Sequence, residues 1–181
     1  MRATEEESDD ARLVARVAQG DMIAMKTLYQ RHSEAVLRFV RSRLRDQFEA
    51  SDVVHNTMLD VWRGAGRFEG RSSVRSWILS IARYKTVDHV RKQSRVELGE
   101  ADEEIPDDSP NPEAVLAVAQ DAARVRACVE ELPAHQRSAV HLAFFEEMTY
   151  GEIAAVSDVP EGTIKTRIYH AKKLLMRCLS R

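Results

Sequence analysis

The stretch Thr149-Tyr-Gly-Glu-Ile-Ala-Ala-Val-Ser-Asp-Val-Pro-Glu-Gly-Thr-Ile-Lys-Thr-Arg167 decides how the rest of the chain is read. Thr149 followed three residues later by Glu152 is a capping box, which opens a very short helix to about Val156. Ser157-Asp158-Val159 is the turn, and Pro160 opens a second helix reaching about Leu179. Ala154 is small enough for two helices to approach closely. Asp158 stands four positions later, where the turn needs a positive φ that Asp tolerates better than most side chains. Ile164 supplies the apolar residue that the second helix must bury. Short helix, tight turn and longer basic helix together make a helix-turn-helix. Its outer face shows Glu161, Thr163, Lys165, Thr166, Arg167, Tyr169, His170, Lys172 and Lys173. Early residues of such a helix reach base edges in the major groove, and the later Lys and Arg hold phosphates. An amphipathic helix with a solvated basic face is the plainer alternative, but cap, small residue, turn and basic helix all fall in register.

Upstream, Asn111-Pro112-Glu113 reads as a helix start, with a capping Asn and Pro at the first helical position. That helix ends near Leu132-Pro133, and another runs from Ala134 to Glu147. Before it, residues 96–112 hold three of the five prolines and few large apolar groups, too few to offset their ordering entropy. They read as a flexible acidic linker between a domain at 11–95 and a domain at 113–181. The first domain also reads as helices: a short one over 11–18, one capped by Asp21 with His32 in its apolar stripe, one starting at Ser51 or Asp52, and one capped by Ser72 or Ser73 that runs to about Lys92. Gly64, Gly66 and Gly70 mark a loop between the last two. The fold expected is all-α: two small helical domains with separate cores, the C-terminal one a helix-turn-helix.

The 181 residues carry 27 Lys and Arg against 29 Asp and Glu, but the near balance hides a pattern. Residues 31–95 are net +7, residues 96–113 net −8 and residues 159–181 net +5. Two basic blocks separated by an acidic one suit a protein that grips a polyanion at two sites. Residues 63–95 combine nine Lys and Arg with Phe68, Trp77 and Tyr84. Basic groups with aromatic rings suit unpaired bases and their phosphates. Trp77 also reads as core, the favoured reading, because Val74, Ile78 and Ile81 surround it at helical spacing.

Other function classes find no support. There is no Gly-rich phosphate loop, nucleophile-base context or metal-ligand spacing, so neither an enzyme nor a cofactor is expected. Cys128 and Cys178 are too few for a disulfide framework and read as small apolar core residues. No apolar run reaches a membrane span, and residues 1–10 lack the apolar stretch of a signal peptide, so a cytoplasmic protein without stable membrane insertion is expected.

The run Ala50-Ser-Asp-Val-Val-His-Asn-Thr-Met-Leu-Asp-Val-Trp62 resembles a region 2 helix of bacterial RNA polymerase sigma factors of the extracytoplasmic-function (ECF) group, in the sigma-70 family. Phe68-Glu-Gly-Arg-Ser-Ser-Val-Arg-Ser-Trp-Ile-Leu-Ser-Ile-Ala-Arg-Tyr-Lys-Thr-Val-Asp-His-Val-Arg-Lys92 resembles the loop and helix that follow. Glu131-Leu-Pro-Ala-His-Gln-Arg137 and Pro160–Arg167 are similar to region 4. The order matches, and nothing resembles region 1.1 or region 3 of the larger sigma factors. The chain departs from the family's usual residues at His55, Asn56 and Asp158.

This resemblance implies a sigma factor whose partners are core RNA polymerase (β and β′ subunits), promoter DNA and an anti-sigma factor. Asp52, His55, Asn56 and Asp60 would contact the β′ clamp. Phe68, Arg71, Ser72, Arg75 and Arg83 would lie near the melted −10 strand, with Lys85, Arg91 and Lys92 on its backbone. Thr163, Lys165, Thr166, Arg167, His170, Lys172 and Lys173 would face the −35 element. Two rival readings are a helix-turn-helix repressor with a dimerising N-terminal domain and a sigma-like mimic that only sequesters an anti-sigma factor. The resemblance of residues 50–92 opposes the first, and the basic block at 63–95 opposes the second.

The linker reading has a direct test. Limited proteolysis of the free protein should cut first within 96–112 and release two folded fragments. First cuts inside 21–45 or 134–147 would place the boundary elsewhere.

Overall fold

The computed structural model describes residues 2–96 and 116–180, all of whose regular elements are helices. They are α1 (Arg2–Val17), α2 (Met22–Arg41), α3 (Gln47–Gly64), a 3-10 turn (Ala65–Arg67), α4 (Val74–Val96), α5 (Leu116–Glu130), α6 (Ala134–Phe144), α7 (Tyr150–Ser157) and α8 (Glu161–Leu179). The fold class is as expected. The start of the 113–181 domain at Asn111-Pro112 and the linker lie outside the described residues. No described helix is long and apolar enough to cross a membrane.

Local chemistry sets four of the helix starts, those of α2, α3, α4 and α7. The Asp21 carboxylate accepts hydrogen bonds from the backbone N–H groups of Ile23 (2.9 Å) and Ala24 (3.1 Å), satisfying donors that the first turn of α2 leaves open. Ser73 does the same for the N–H of Ser76 at 3.1 Å. Thr149 and Glu152 form the reciprocal capping box of α7, and Asp158 sits in the left-handed region at φ 52°, closing the turn before α8. Four boundaries differ from expectation, two of them at helix ends, where α4 runs past Lys92 to Val96 and α6 stops at Phe144, short of Glu147. The first helix begins at Arg2, well before Ala11, and an acidic run early in a helix suits its dipole. The third begins at Gln47, capped by Asp46 to the N–H of Glu49 at 2.8 Å, not by Ser51 or Asp52. Its extra turn is hidden from the sequence because Phe48 is 84% exposed and so carries no inward apolar period.

In the first half, Leu28, Val36, Phe39 and Val40 of α2 are fully buried, together with Val61 of α3 and Val74, Ile78 and Leu79 of α4. Met22 and Tyr29 point outward, although their helical spacing from Met25, Leu28 and Val36 suggests the same stripe. His32 is buried, and its Nε2 lies 2.7 Å from the Asp10 carboxylate, which also accepts from Arg31 at 2.7 Å. This pairing of buried polar groups fastens α1 to α2. Burial pushes the Asp10 carboxyl up, but the hydrogen bonds from His32 and Arg31 outweigh it and leave the group below its ordinary value.

In the second half, Leu142, Ile153, Val156, Ile164, Ile168 and Ala171 close the core between α6, α7 and α8. The two halves do not keep separate cores. α2 packs on α6 and α4 on α7, and the buried apolar residues form one continuous cluster. Arg137, only 5% exposed, donates from Nε to the Ser42 carbonyl (2.8 Å) and from a terminal nitrogen to the Glu130 carbonyl (2.6 Å). The Ser42 and Ser138 hydroxyls meet at 2.9 Å in the same joint.

The cysteines need a correction. Cys128 of α5 and Cys178 of α8 are not separate core thiols but are joined in a disulfide, with Cα atoms 5.8 Å apart across 50 residues of sequence. Only the side-by-side packing of α5 and α8, a tertiary fact, brings them together. Closing a loop of this length restricts the unfolded chain and contributes roughly 2–4 kcal/mol. Urea unfolding of the Cys128→Ala/Cys178→Ala variant, or of the reduced protein, should show a loss of that order for the second half. Identical curves with and without reductant would remove the disulfide's role.

Candidate nucleic-acid interface

The outer face of α8 is largely open to solvent. Lys165, Thr166, His170, Lys172 and Lys173 are exposed, while Thr163 and Arg167 are half-buried on the same helix. Ile164, Ile168 and Ala171 are buried on the opposite side, which fixes the helix rotation and turns the polar face outward. Lys165 pairs with Glu161 at 2.8 Å, and that hydrogen bond raises its pKa above the ordinary lysine value. Lys173 lies over the Tyr169 ring at 4.7 Å and Lys172 over Phe144 at 5.8 Å, so both heads are steered by aromatic faces. The whole expected set from Thr163 to Lys173 shares one element, with the disulfide near its far end.

The set on the 68–73 loop and α4 divides. Arg71, Ser72, Arg91 and Lys92 are exposed; Lys92 pairs with Asp88 on its own helix at 2.7 Å. Phe68 is half-buried and packs on Trp77 with ring centroids 4.9 Å apart, so the two aromatics support one another beneath the loop. Lys85 meets Asp60 of α3 at 2.6 Å, tying α3 to α4. The sequence reading turns Asp60 toward a partner and Lys85 toward a DNA backbone; in the structure each occupies the other. Arg75 and Arg83 face the second half of the chain. Arg83 reaches within 3.9 Å of Asp158 in the helix-turn-helix turn. Arg75 forms an ion pair with Glu146, from the corner between α6 and α7.

Sequence reasoning does not single out Glu146 or Arg38. Glu146 is 4% exposed, and its other carboxylate oxygen accepts from Arg38 Nε at 2.8 Å. Burial lowers the pKa of Arg75, and the like charge of Arg38 lowers it further. Nothing local marks Glu146, which follows two exposed phenylalanines at a helix end. Its partner Arg38 is 108 residues away in sequence. A second basic group lies along the same joint. Arg43 is held below its ordinary value by burial, then by Arg83 and Arg167. His135 is lowered by burial, then by Arg167 and Arg43.

The α3 set gives a coherent outer face. Asp52, His55 and Asn56 are exposed, over buried Val53, Val54, Thr57 and Met58. Phe48 and Leu59 extend the Asp52–His55 face at helical spacing and are themselves exposed. A mostly polar strip with apolar ends is what a protein partner of mixed character would meet.

Comparison with known proteins identifies the family. Residues 28–96 match the sigma-70 region 2 family, and residues 122–175 match sigma-70 region 4. The ECF RNA polymerase sigma factor RpoE of Cereibacter sphaeroides is 32% identical over 164 residues, covering 88% of each chain. The ECF RNA polymerase sigma factor SigK of Mycobacterium tuberculosis is 32% identical over 179 residues, covering 95% of this chain and 94% of that one. The fold is shared with the sigma factor RpoE of Bartonella quintana, solved in complex with the anti-sigma factor NepR, at a TM-score of 0.70 and 23% identity over 86% of this chain and 96% of that one. With regions 2 and 4 matched in order, and relatives this similar over nearly the whole length, the protein belongs to the ECF group of sigma-70 family RNA polymerase sigma factors.

Proposed function

We propose that the protein binds core RNA polymerase and directs promoter-specific initiation, with α8 reading the −35 element and the 68–73 loop with α4 recognising and melting the −10 element. The observation that carries this reading is the free outer face of α8. A basic helix rotated outward by its buried side and held at a fixed angle to α7 by the Asp158 turn is what major-groove docking requires. Arg71, Ser72, Arg91 and Lys92 add an exposed basic path on the N-terminal half, suited to a single strand. The outer face of α3, with Asp52, His55 and Asn56, is assigned to the polymerase β′ clamp. The domains are read as 11–95 and 113–181, with 96–112 between them. The chain is not read as an enzyme, and it acts in the cytoplasm, where polymerase is. An anti-sigma factor is the expected regulator, a partner of the kind bound to the Bartonella quintana protein. Adding the purified chain to core polymerase and measuring transcription from cognate and scrambled promoters tests the whole reading.

Asp52 is the cleaner probe of the clamp assignment, because Asp60 is already engaged by Lys85. Asp52→Lys should weaken holoenzyme formation while the circular dichroism and melting of the free chain stay as in wild type. Unchanged affinity for core polymerase in Asp52→Lys and in His55→Ala would take α3 out of the interface.

On α8, two kinds of DNA grip should separate. In holoenzyme, Lys165→Ala or Arg167→Ala should cost about 1–3 kcal/mol on the preferred promoter and much less when the −35 element is scrambled. Lys172→Ala or Lys173→Ala should weaken both DNAs alike and lower the salt slope by about one for each phosphate no longer held. Equal losses on both DNAs for all four variants would reduce α8 to a source of charge.

A further inference from the structure

We propose that Arg38 and Arg75 form a binding site for a backbone phosphate of single-stranded promoter DNA, and that Glu146 fills this site in the closed chain. The proposal rests on the reading of α4 as the −10 element's surface, and adds to it a residue from α2 and an internal competitor from region 4.

Two guanidiniums on different helices converge on one carboxylate: Arg38 Nε donates to one oxygen at 2.8 Å, and Arg75 pairs with the other. Arginines that clasp a carboxylate from two sides present the geometry that also clasps a phosphate, because both anions offer several oxygens to planar N–H donors. The carboxylate leaves part of the site unspent. Arg75 Nε is buried with no hydrogen-bond partner among the described residues, a donor that an anion with more oxygens would satisfy. A cavity of about 740 Å³ opens beside the pair, and the hydroxyl-bearing Ser73 and Ser76 at the start of α4 line it. This is the end of the loop already assigned to the melted strand, so a phosphate held here continues that path.

Local charge explains why the site is closed in the free chain. Region 4 brings Glu146, Glu147 and Glu152 to the cavity wall. Their departure with region 4 removes three acids at once. On the region 2 side, Asp10 is already matched by His32 and Arg31 and Asp9 by Arg31, leaving Glu7 on the cavity wall and exposed Glu34 on Arg38 as the rivals. Arg75 then has no paired acid among the described residues. Glu146 therefore acts as an internal stand-in for phosphate, and the free chain binds a single strand weakly until the two halves part.

The full-length chain tests this with a fluorescein-labelled oligothymidylate of about 20 nucleotides, followed by anisotropy from about 50 to 200 mM salt. Glu146→Gln and Glu146→Arg should each bind at least about tenfold more tightly than wild type at the lowest salt. Adding Arg38→Ala or Arg75→Ala to either should abolish the gain and lower the salt slope by about 0.7 for the phosphate released. If Glu146→Arg does not fold, Glu146→Gln carries the same comparison. No gain in Glu146→Gln overturns the proposal. A gain that survives Arg38→Ala but is lost in Arg91→Ala also overturns it, while leaving the assignment of α4 standing. A gain indifferent to Arg38, Arg75 and Arg91 removes both.

Discussion

A guanidinium buried where the two halves meet constrains the whole arrangement. Arg137 is almost out of reach of water, and an unpaired buried charge costs several kcal/mol. Its donors are met by the Ser42 carbonyl at the end of α2 and by the Glu130 carbonyl at the end of α5. Those acceptors are backbone atoms, so they cannot swing aside as a side chain does. In the closed chain the end of α2, the α5–α6 corner and α6 itself therefore keep one mutual position, and the Ser42–Ser138 hydroxyl pair falls within it. Apolar packing between α4 and α7 completes the joint, but packing alone has no comparable direction.

That joint has a consequence for charge. The chain carries a basic block in each half, and basic surfaces in one chain repel each other when brought close. Here the repulsion is only partly relieved. Glu146 and Asp158 offset Arg38, Arg75 and Arg83, while Arg43 remains destabilised by burial and then by the like charges of Arg83 and Arg167. The closed form thus joins an incompletely satisfied acidic-basic pairing to a cluster of mutually repelling arginines. A polyanion favours the opposite arrangement, in which the arginines turn to phosphates and the acids to water.

Helix α8 is treated differently. Its buried face is packed against α6 and α7, and its C-terminal end is bonded through Cys178 to Cys128 of α5. Few of its outward groups are occupied by acids, and the aromatic rings of Phe144 and Tyr169 lie beneath two of its lysines. The helix is held rigidly while its polar side stays available, whereas the N-terminal half gives up Arg75 and Arg83 to the joint. The closed chain therefore leaves its two basic surfaces unequally exposed.

Much of this is readable from sequence where the physics is local. The Thr149–Glu152 box, the Asp21 and Ser73 caps and the left-handed Asp158 all act within about one helical turn, so side-chain type and spacing are enough. The rotation of α8 follows from its apolar period, and the exposed Asp52, His55 and Asn56 from that of α3. Periodicity fails where a large side chain breaks the rule: Phe48 is exposed at a helix start, and Met22 and Tyr29 lie outside the stripe their spacing suggests. Long-range pairing is beyond its reach altogether. Glu146 meets Arg38 across 108 residues, Cys128 meets Cys178 across 50, and Asp60 takes Lys85 out of the expected DNA surface. The sequence by itself determined the helices, their faces and the family. Only the tertiary structure decided which charges are free, because an ion pair depends on distance in space, and the chain's order does not encode that distance.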